Sequence, residues 1–463
     1  MSENKPDLSR RSLLKRGAAA AGVVLGAQAV GAGQAPAVRT ARRFRGWVAP
    51  PDGGRATLED LTLRPIAGRQ VLVRTEATNL DAGFAAQMLG LPRNPPPAAP
   101  PTTAAVAPPR RPARATIPGH GGVGVVEAVG PEVRRVQVGD RVCVSGTPQC
   151  GACYACLMDR ADMCQWNFRQ DPDYPVPIAD TRSGTPVYPV SHIGGLSELM
   201  VTYEEWIVPI FTKAKAVDLG MLTGCTGTCG LGATTSQGVA TIRPGTIVAV
   251  VGCGPLGLSA VQGARISGAT TIIAIDPIRA RREAAMKVGA THSLDPNAEG
   301  NALVQRVREI SVSVKPILTK SLWSGGTELG NFTTAGADFV VEAAGAENVT
   351  PKVEHSPDPT GILAIQQAYL MTSSIGHVVT TSLARGNVSL PANTFTIAGR
   401  THHAGQYGGC NPLRDIPRFV AMLERGQYDA KTLAERVVTI DHVLEAYEDI
   451  AYKVAIGGVM TVA

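Results

Sequence analysis

The sequence predicts an α/β protein in which a β-rich region precedes a doubly wound parallel sheet. Three observations predict it. After Gly245, continuous apolar runs alternate with helix-like stretches, the pattern of a parallel sheet covered on both faces. Between Phe44 and Val144, short strand-like stretches are divided by turn signals. A glycine-rich turn joins the first apolar run to the first helix-like stretch.

The first thirty residues stand apart. Arg10, Arg11, Lys15 and Arg16 make a basic head, residues 17–31 a mildly apolar middle, and "AQA" at 27–29 offers small residues to a signal peptidase. Ser9-Arg10-Arg11-Ser12-Leu13-Leu14-Lys15 resembles a twin-arginine export signal, which implies passage through that machinery and a periplasmic or secreted protein. The apolar middle is rich in Ala and Gly and shorter than the roughly 20 strongly apolar residues a spanning helix needs. Residues 1–30 are therefore set aside as a signal peptide; the alternative is a chance arginine pair on a cytosolic tail.

What remains is long enough for two or more domains. The full chain carries a net charge of +6; its first 29 residues hold five Lys/Arg and two Asp/Glu, which leaves +3. That excess is too small to argue for a nucleic-acid partner. With 51 Gly, 34 Pro and only 5% aromatic residues, the chain is turn-rich. Five of the nine cysteines fall between Cys143 and Cys164, a clustering that points to metal before disulfides.

Along the chain, residues 30–43 read as a lead-in. Strands are expected at 70–78, 123–130 and 136–144, the last with a Gly-Asp turn inside it. Residues 93–115 are proline-rich; prolines remove backbone donors and favour extended, unpaired chain. That stretch reads as an insertion loop, either a border of the cleft mouth that sets substrate access or a solvated surface loop. Apolar strands are expected at 246–252, 271–276, 337–345 and 376–382, with a helix at 255–268. Residues 312–334 and 350–362 break this rhythm as further insertions. The end reads as a helix, a strand and another helix.

"VVGCGPLG" supplies Gly252, Gly254 and Gly257 as G-x-G-x-x-G, with Pro255 and Leu256 between the last two. The first Gly permits the tight turn, the second a close backbone approach to a pyrophosphate, the third tight helix–sheet packing. Asp276 ends the next strand, where it would accept from ribose hydroxyls and repel a 2′-phosphate. A strand, helix, strand and acid in this order make a Rossmann dinucleotide site with NAD as cofactor. Arg279, Arg281 and Arg282 follow closely, so NADP stays open, and Arg281 is assigned to the cofactor.

"CGACYACLMDRADMC" sets Cys150, Cys153, Cys156 and Cys164 on one tight loop. Four thiolates so spaced suit a tetrahedral structural zinc; two disulfides are the alternative. With this lobe, "PGHGGVGVVEAVGPEVRRVQVGDRV" (118–142), "GGLSELMV" (194–201) and "LTGCTGTCGLGAT" (222–234), the chain resembles the zinc-containing medium-chain alcohol dehydrogenases from about residue 44 onward.

The resemblance implies a GroES-like catalytic domain split in sequence around the Rossmann domain: 31–224 and 405–463 around 225–404. It implies an alcohol or aldehyde substrate, a homo-oligomer, and a catalytic zinc in the cleft. The ligands of that zinc fall on Asp81, His120 and Cys225, with Asp81 standing where the family has cysteine. Carboxylate is an acceptable zinc ligand and keeps the formal charge, but it is harder and donates less. Other departures touch the mechanism. The family's relay hydroxyl falls on Gly83, the Glu after the His on Gly121, and a phosphate-contacting Arg on Gly457. His192 and His403 are the candidate replacements for the relay.

The expected function is hydride transfer between an alcohol or aldehyde and NAD. Export adds a further expectation: free NAD is not expected outside the cytoplasm, so the dinucleotide travels inside the folded protein and is recycled in place. Two rival readings are a zinc-free reductase of quinone-reductase type and a non-catalytic dinucleotide-binding protein.

Overall fold

A computed structural model describes residues 42–92, 113–168, 176–236, 242–315 and 334–462. Residues 1–30, expected to be a signal peptide, most of the proline-rich insertion and most of 312–334 lie outside the described residues.

The first region is built on β1 (Gln70–Leu80), an eleven-residue strand whose side chains are almost all buried. It pairs antiparallel with β2 (Gly122–Val129), which pairs with β3 (Arg141–Val144). The strand expected at 136–144 therefore starts only at Arg141. Before it, Gln137 and Asp140 close a turn, with the Gln137 amide donating to Asp140 Oδ2 at 3.0 Å. On its other side, β1 pairs first with β4 (Leu199–Tyr203); β5 (Ile207–Pro209) completes the outer edge against β3. A separate five-stranded sheet carries Ala115–Ile117 at one edge.

After α1 (Gly227–Thr235) the chain enters the parallel sheet. In order come β6 (Ile247–Val251), α2 (Pro255–Ile266), β7 (Thr271–Ile275), α3 (Arg279–Val288), β8 (His292–Leu294), β9 (Ala337–Glu342), α4 (Ile362–Met371), β10 (Thr372–Thr380) and β11 (Thr401–Ala404). Every pairing is parallel, and the spatial order is β8-β7-β6-β9-β10-β11. That is the doubly wound arrangement, whose order reverses between β6 and β9; ligands bind at such a switch point. β6 and β7 are buried at all five positions, as their almost wholly apolar sequence requires. β10 begins at Thr372, four residues before the expected start.

After α5 (Pro412–Glu424), the chain returns to the first sheet through β12 (Arg436–Thr439), α6 (Val443–Ala451) and β13 (Gly458–Thr461). β13 pairs antiparallel with the end of β1, setting Gly458 opposite Leu80. One buried cluster holds Ala77, Val123 and Val459 from this sheet together with Val248 and Val250 from the parallel one and Leu258 from α2. The two sheets therefore share a core, which holds the strand ends of both beside one cleft. Among the described residues no helix is long and apolar enough to cross a membrane.

Candidate active site

Asp81 follows the last residue of β1 and starts a turn of 3-10 helix at Ala82–Phe84. Its Oδ1 accepts the Gly83 amide at 2.6 Å. Its Oδ2 lies 3.6 Å from His120 Nε2. His120 sits between Ala115–Ile117 and β2, buried, with the Phe84 ring edge-on at 5.1 Å between centroids. The same Nε2 lies 2.9 Å from Cys225 Sγ. Cys225 precedes α1 on a turn tied by threonine hydroxyls: Thr223 donates to Gly220 O at 2.7 Å and Thr226 to Met221 O at 2.9 Å. A left-handed Gly224, at φ +61°, brings that turn against Asn79 and His120. One ligand atom from each of Asp81, His120 and Cys225 lies within 4.8 Å of the others.

Electrostatics favour positive charge at the centre of this triad. Burial opposes protonation of His120, yet Cys225 and Asp81 outweigh it and raise its pKa to about 9. The hydrogen bond with Cys229, and then burial, push the Cys225 thiol well above its ordinary value. A nitrogen, a sulfur and a carboxylate oxygen converging in a nearly dry pocket form a donor set that fits zinc. A divalent cation there would displace those protons.

The second cluster forms as the spacing predicts. Cys150 and Cys156 sulfurs are 3.9 Å apart, as are those of Cys153 and Cys164. Sulfurs each ~2.3 Å from one zinc would stand about 3.8 Å apart at tetrahedron corners, so the lobe fits the ion. All nine cysteines are free. Burial works against a Cys153 thiolate, but the Gln165 and Cys156 amides bring its pKa down to about 6. The lobe docks on the segment after β11: the Ala161 amide donates to Asn411 Oδ1 at 3.1 Å, and Arg414 pairs with Asp159 at 3.0 Å.

At the dinucleotide turn each glycine has a physical reason. A Cβ on Gly252, at φ +90°, would stand 2.6 Å from Ala344 Cα, and one on Gly257 only 1.8 Å from Gly252 O. At Gly254 the nearest atom is the Arg281 guanidinium at 3.8 Å, so a ligand can approach. Pro255 opens α2. Asp276 is buried and holds the turn together, with Oδ2 accepting the Cys253 amide at 2.7 Å and Oδ1 the Ile278 amide at 2.8 Å. Across the switch point, Glu342 Oε1 accepts the Ala344 amide at 2.9 Å. A single cavity of about 340 Å³ runs between the two sites, lined by Asp81 and Cys225 as well as by Pro255, Leu256, Asp276 and Arg281.

The departures noted in the sequence have steric grounds. A Cβ on Gly83 would come within 2.8 Å of Asp81 Oδ1, and one on Gly121 within 2.5 Å of the Gly224 amide nitrogen. A Cβ on Gly457 would meet Pro255 Cγ at 2.7 Å, so no arginine fits there. The two relay candidates pack on other rings. His192 packs on Trp206 at 5.1 Å, and His403 pairs with His377 at 3.2 Å on the edge of the parallel sheet.

Two other residues do stand by the triad. Asn79, two positions before Asp81 and so on the same side of the chain, is buried, and neither amide atom has a hydrogen-bond partner among the described residues. Its sign in the sequence is an amide at the buried end of a strand, beside Leu80. The Tyr407 ring lies 6.2 Å from that of His120, held in a left-handed backbone at φ +45° and packed on Gly146. Burial first, and then Cys225, Cys229 and Asp81, keep its phenol protonated far above its ordinary range. Nothing in the sequence near Tyr407 announces this.

The alcohol dehydrogenase GroES-like domain family matches residues 68–212, and the zinc-binding dehydrogenase family residues 255–425. Alcohol dehydrogenase B of Mycobacterium tuberculosis is 27% identical over 348 residues, 74% of this chain and 82% of its own. The NDMA-dependent alcohol dehydrogenase of Amycolatopsis methanolica is 27% identical over 345 residues, 72% of this chain and 80% of its own. Among solved structures, an alcohol dehydrogenase zinc-binding domain protein from Burkholderia ambifaria superposes with a TM-score of 0.71 at 24% identity, covering 92% of this chain and 100% of that one. Benzyl alcohol dehydrogenase from Acinetobacter calcoaceticus gives 0.68 at 21% identity, covering 91% and 100%. The fold and the matched domains together define a medium-chain, alcohol dehydrogenase-like oxidoreductase that uses a nicotinamide dinucleotide. By these matches the chain is similar to the zinc-type medium-chain alcohol dehydrogenases.

Proposed function

We propose that this chain is an exported, zinc-dependent oxidoreductase that moves a hydride between an alcohol or aldehyde and a retained NAD. The observation that carries the chemistry is the shared cavity: the metal-fitting triad and the glycine-rich turn open into the same space. Zinc held by Asp81, His120 and Cys225 would supply Lewis acidity toward a substrate oxygen. The Gly252–Gly257 turn and the start of α2 would take the pyrophosphate, and Asp276 faces the ribose side with a charge that repels a 2′-phosphate. A nicotinamide held by that turn would supply the acceptor for a carbinol hydride, and the hydroxyl proton would leave toward solvent. A side chain at Gly83 would press on Asp81 Oδ1, and the Tyr407 ring, 6.2 Å from that of His120, is a candidate for that proton's route.

Substituting His120→Ala tests the reading. Zinc content should fall from about two to about one per chain, with the cysteine lobe keeping its ion, and turnover of short alcohols and aldehydes should be lost. Full turnover in that variant overturns the catalytic role of zinc. One zinc in the unmodified protein, with activity, would favour the zinc-free reductase; tight dinucleotide binding with no hydride transfer would favour a binding protein. The twin-arginine pattern Ser9–Lys15 supports the export part, with a periplasmic or secreted destination.

A further inference from the structure

Residues 350–362 enter the sequence as an insertion without a role. The chain from Ala346 to Gly361, between β9 and α4, has no regular structure, yet it is pinned at both ends and in the middle. The Ala346 amide donates to Leu383 O at 2.9 Å and the Glu347 amide to Pro359 O at 2.8 Å, which closes its base. Asp358 accepts the Leu363 amide at 2.7 Å and the Thr360 amide at 2.9 Å, which ties its end to the first turn of α4.

Its middle reaches in two directions. Toward the adenosine side of the parallel sheet, Asn297 Nδ2 donates to His355 O at 2.9 Å, and the Arg279 amide to Glu354 Oε1 at 3.4 Å. Toward the other half of the molecule, it meets the two residues that follow α6. The Lys352 amide donates to Tyr452 O at 3.0 Å, and Lys352 Nζ lies 3.8 Å over the Tyr452 ring. Lys453 Nζ pairs with Glu347 Oε1 at 2.7 Å, and the same oxygen accepts the Ser356 amide at 3.1 Å. The Glu347 side chain is only 5% exposed, and Lys453 holds a left-handed backbone at φ +58°. Strain of that kind persists where surrounding contacts over-determine it.

The same segment lines the cavity. Glu347, Val349, Ser356 and Pro357 face it together with Asp276 and Lys453. We propose that residues 346–361 are part of the dinucleotide-binding site, a strap closed over the cofactor, and that the Glu347–Lys453 pair is its latch. The proposal rests on the reading that the cavity takes a nicotinamide dinucleotide. A dinucleotide leaving the switch point must part the strap from α6 or from the adenosine side. The latch resists the first of these, because that opening has to break the Glu347–Lys453 pair and its bond to the Ser356 amide.

The test is the release rate of NADH, with NADPH as a parallel probe, from full-length protein loaded with it and chased with excess NAD. Glu347→Gln and Lys453→Met should each release the probe at least tenfold faster than the parent. The double variant should be no faster than either single one, because the two side chains act as a pair. Asn297→Ala, which loses one bond at the opposite anchor, should release several-fold faster with zinc content and melting temperature unchanged. Release within twofold of the parent in all of these, with folding intact, overturns the strap and leaves the dinucleotide site standing. Additive acceleration in the double variant overturns the latch. A parent that binds neither probe overturns the dinucleotide reading itself, and the strap with it.

Discussion

Asp81 divides its carboxylate, one oxygen accepting the Gly83 amide at 2.6 Å and the other facing His120 at 3.6 Å. Capping a turn and ligating a metal are different uses of a carboxylate, and here one side chain caps the turn and faces the triad. The arrangement also accounts for Gly83. A side chain there would press on Asp81 Oδ1, since its Cβ would lie 2.8 Å away. Restoring a hydroxyl by Gly83→Ser is therefore expected not to raise turnover but to lower it, and to lower metal occupancy of the triad while leaving the cysteine lobe loaded. Zinc counting beside steady-state rates checks this; higher turnover at full zinc content would contradict it. Asp81, His120 and Cys225 were each unremarkable in the sequence and became legible only as a set. Asn79 and Tyr407 were not legible: a buried amide and a strained tyrosine acquire meaning only from what the fold brings beside them.

At the scale of elements, the parallel sheet was the most readable part. A strand buried on both faces is mostly apolar, so β6 and β7 show as nearly continuous runs and β9 by Phe339–Val341 at its centre. β3 was overextended because Val136 and Val138 continue the alternation, while the Gly139-Asp140 turn ends the pairing. The strap was unreadable, since its partners Tyr452 and Lys453 lie about a hundred residues further on. β11, at the sheet edge, carries a pH dependence. Burial first, then His377, His402 and Arg160, depress the His403 pKa to about 4 from an ordinary 6.5. The folded chain therefore binds this proton less readily than the unfolded chain. Its contribution to stability is complete above about pH 6.5 and is lost as pH falls toward 4. Urea midpoints at pH 7 and pH 4.5 should differ less for His403→Gln than for the parent. An equal difference in both would place the acid sensitivity elsewhere.

For the whole molecule, the order of assembly follows from where its parts meet. The cysteine lobe packs through Asp159 and Ala161 on Asn411 and Arg414, and the intervening turn, Gln406–Gly409, carries Tyr407 to the triad. The lobe thiols must be reduced to load zinc, and oxidation outside the cytoplasm would compete with that loading. The dinucleotide cavity, on the proposal above, is strapped shut once filled. Both requirements are met in the cytoplasm, and a twin-arginine route carries proteins already folded, which is what Arg10 and Arg11 are expected to secure. Protein purified from outside the cytoplasm without added cofactor should therefore hold about two zinc ions and near-stoichiometric NAD(H) per chain, measured after denaturation. Arg10→Lys together with Arg11→Lys should leave the protein inside the cell with the same zinc and dinucleotide content, because loading precedes transport. An exported protein that is empty of dinucleotide, and fully active only with millimolar NAD added, would contradict retention and leave zinc as the one cargo that explains the signal.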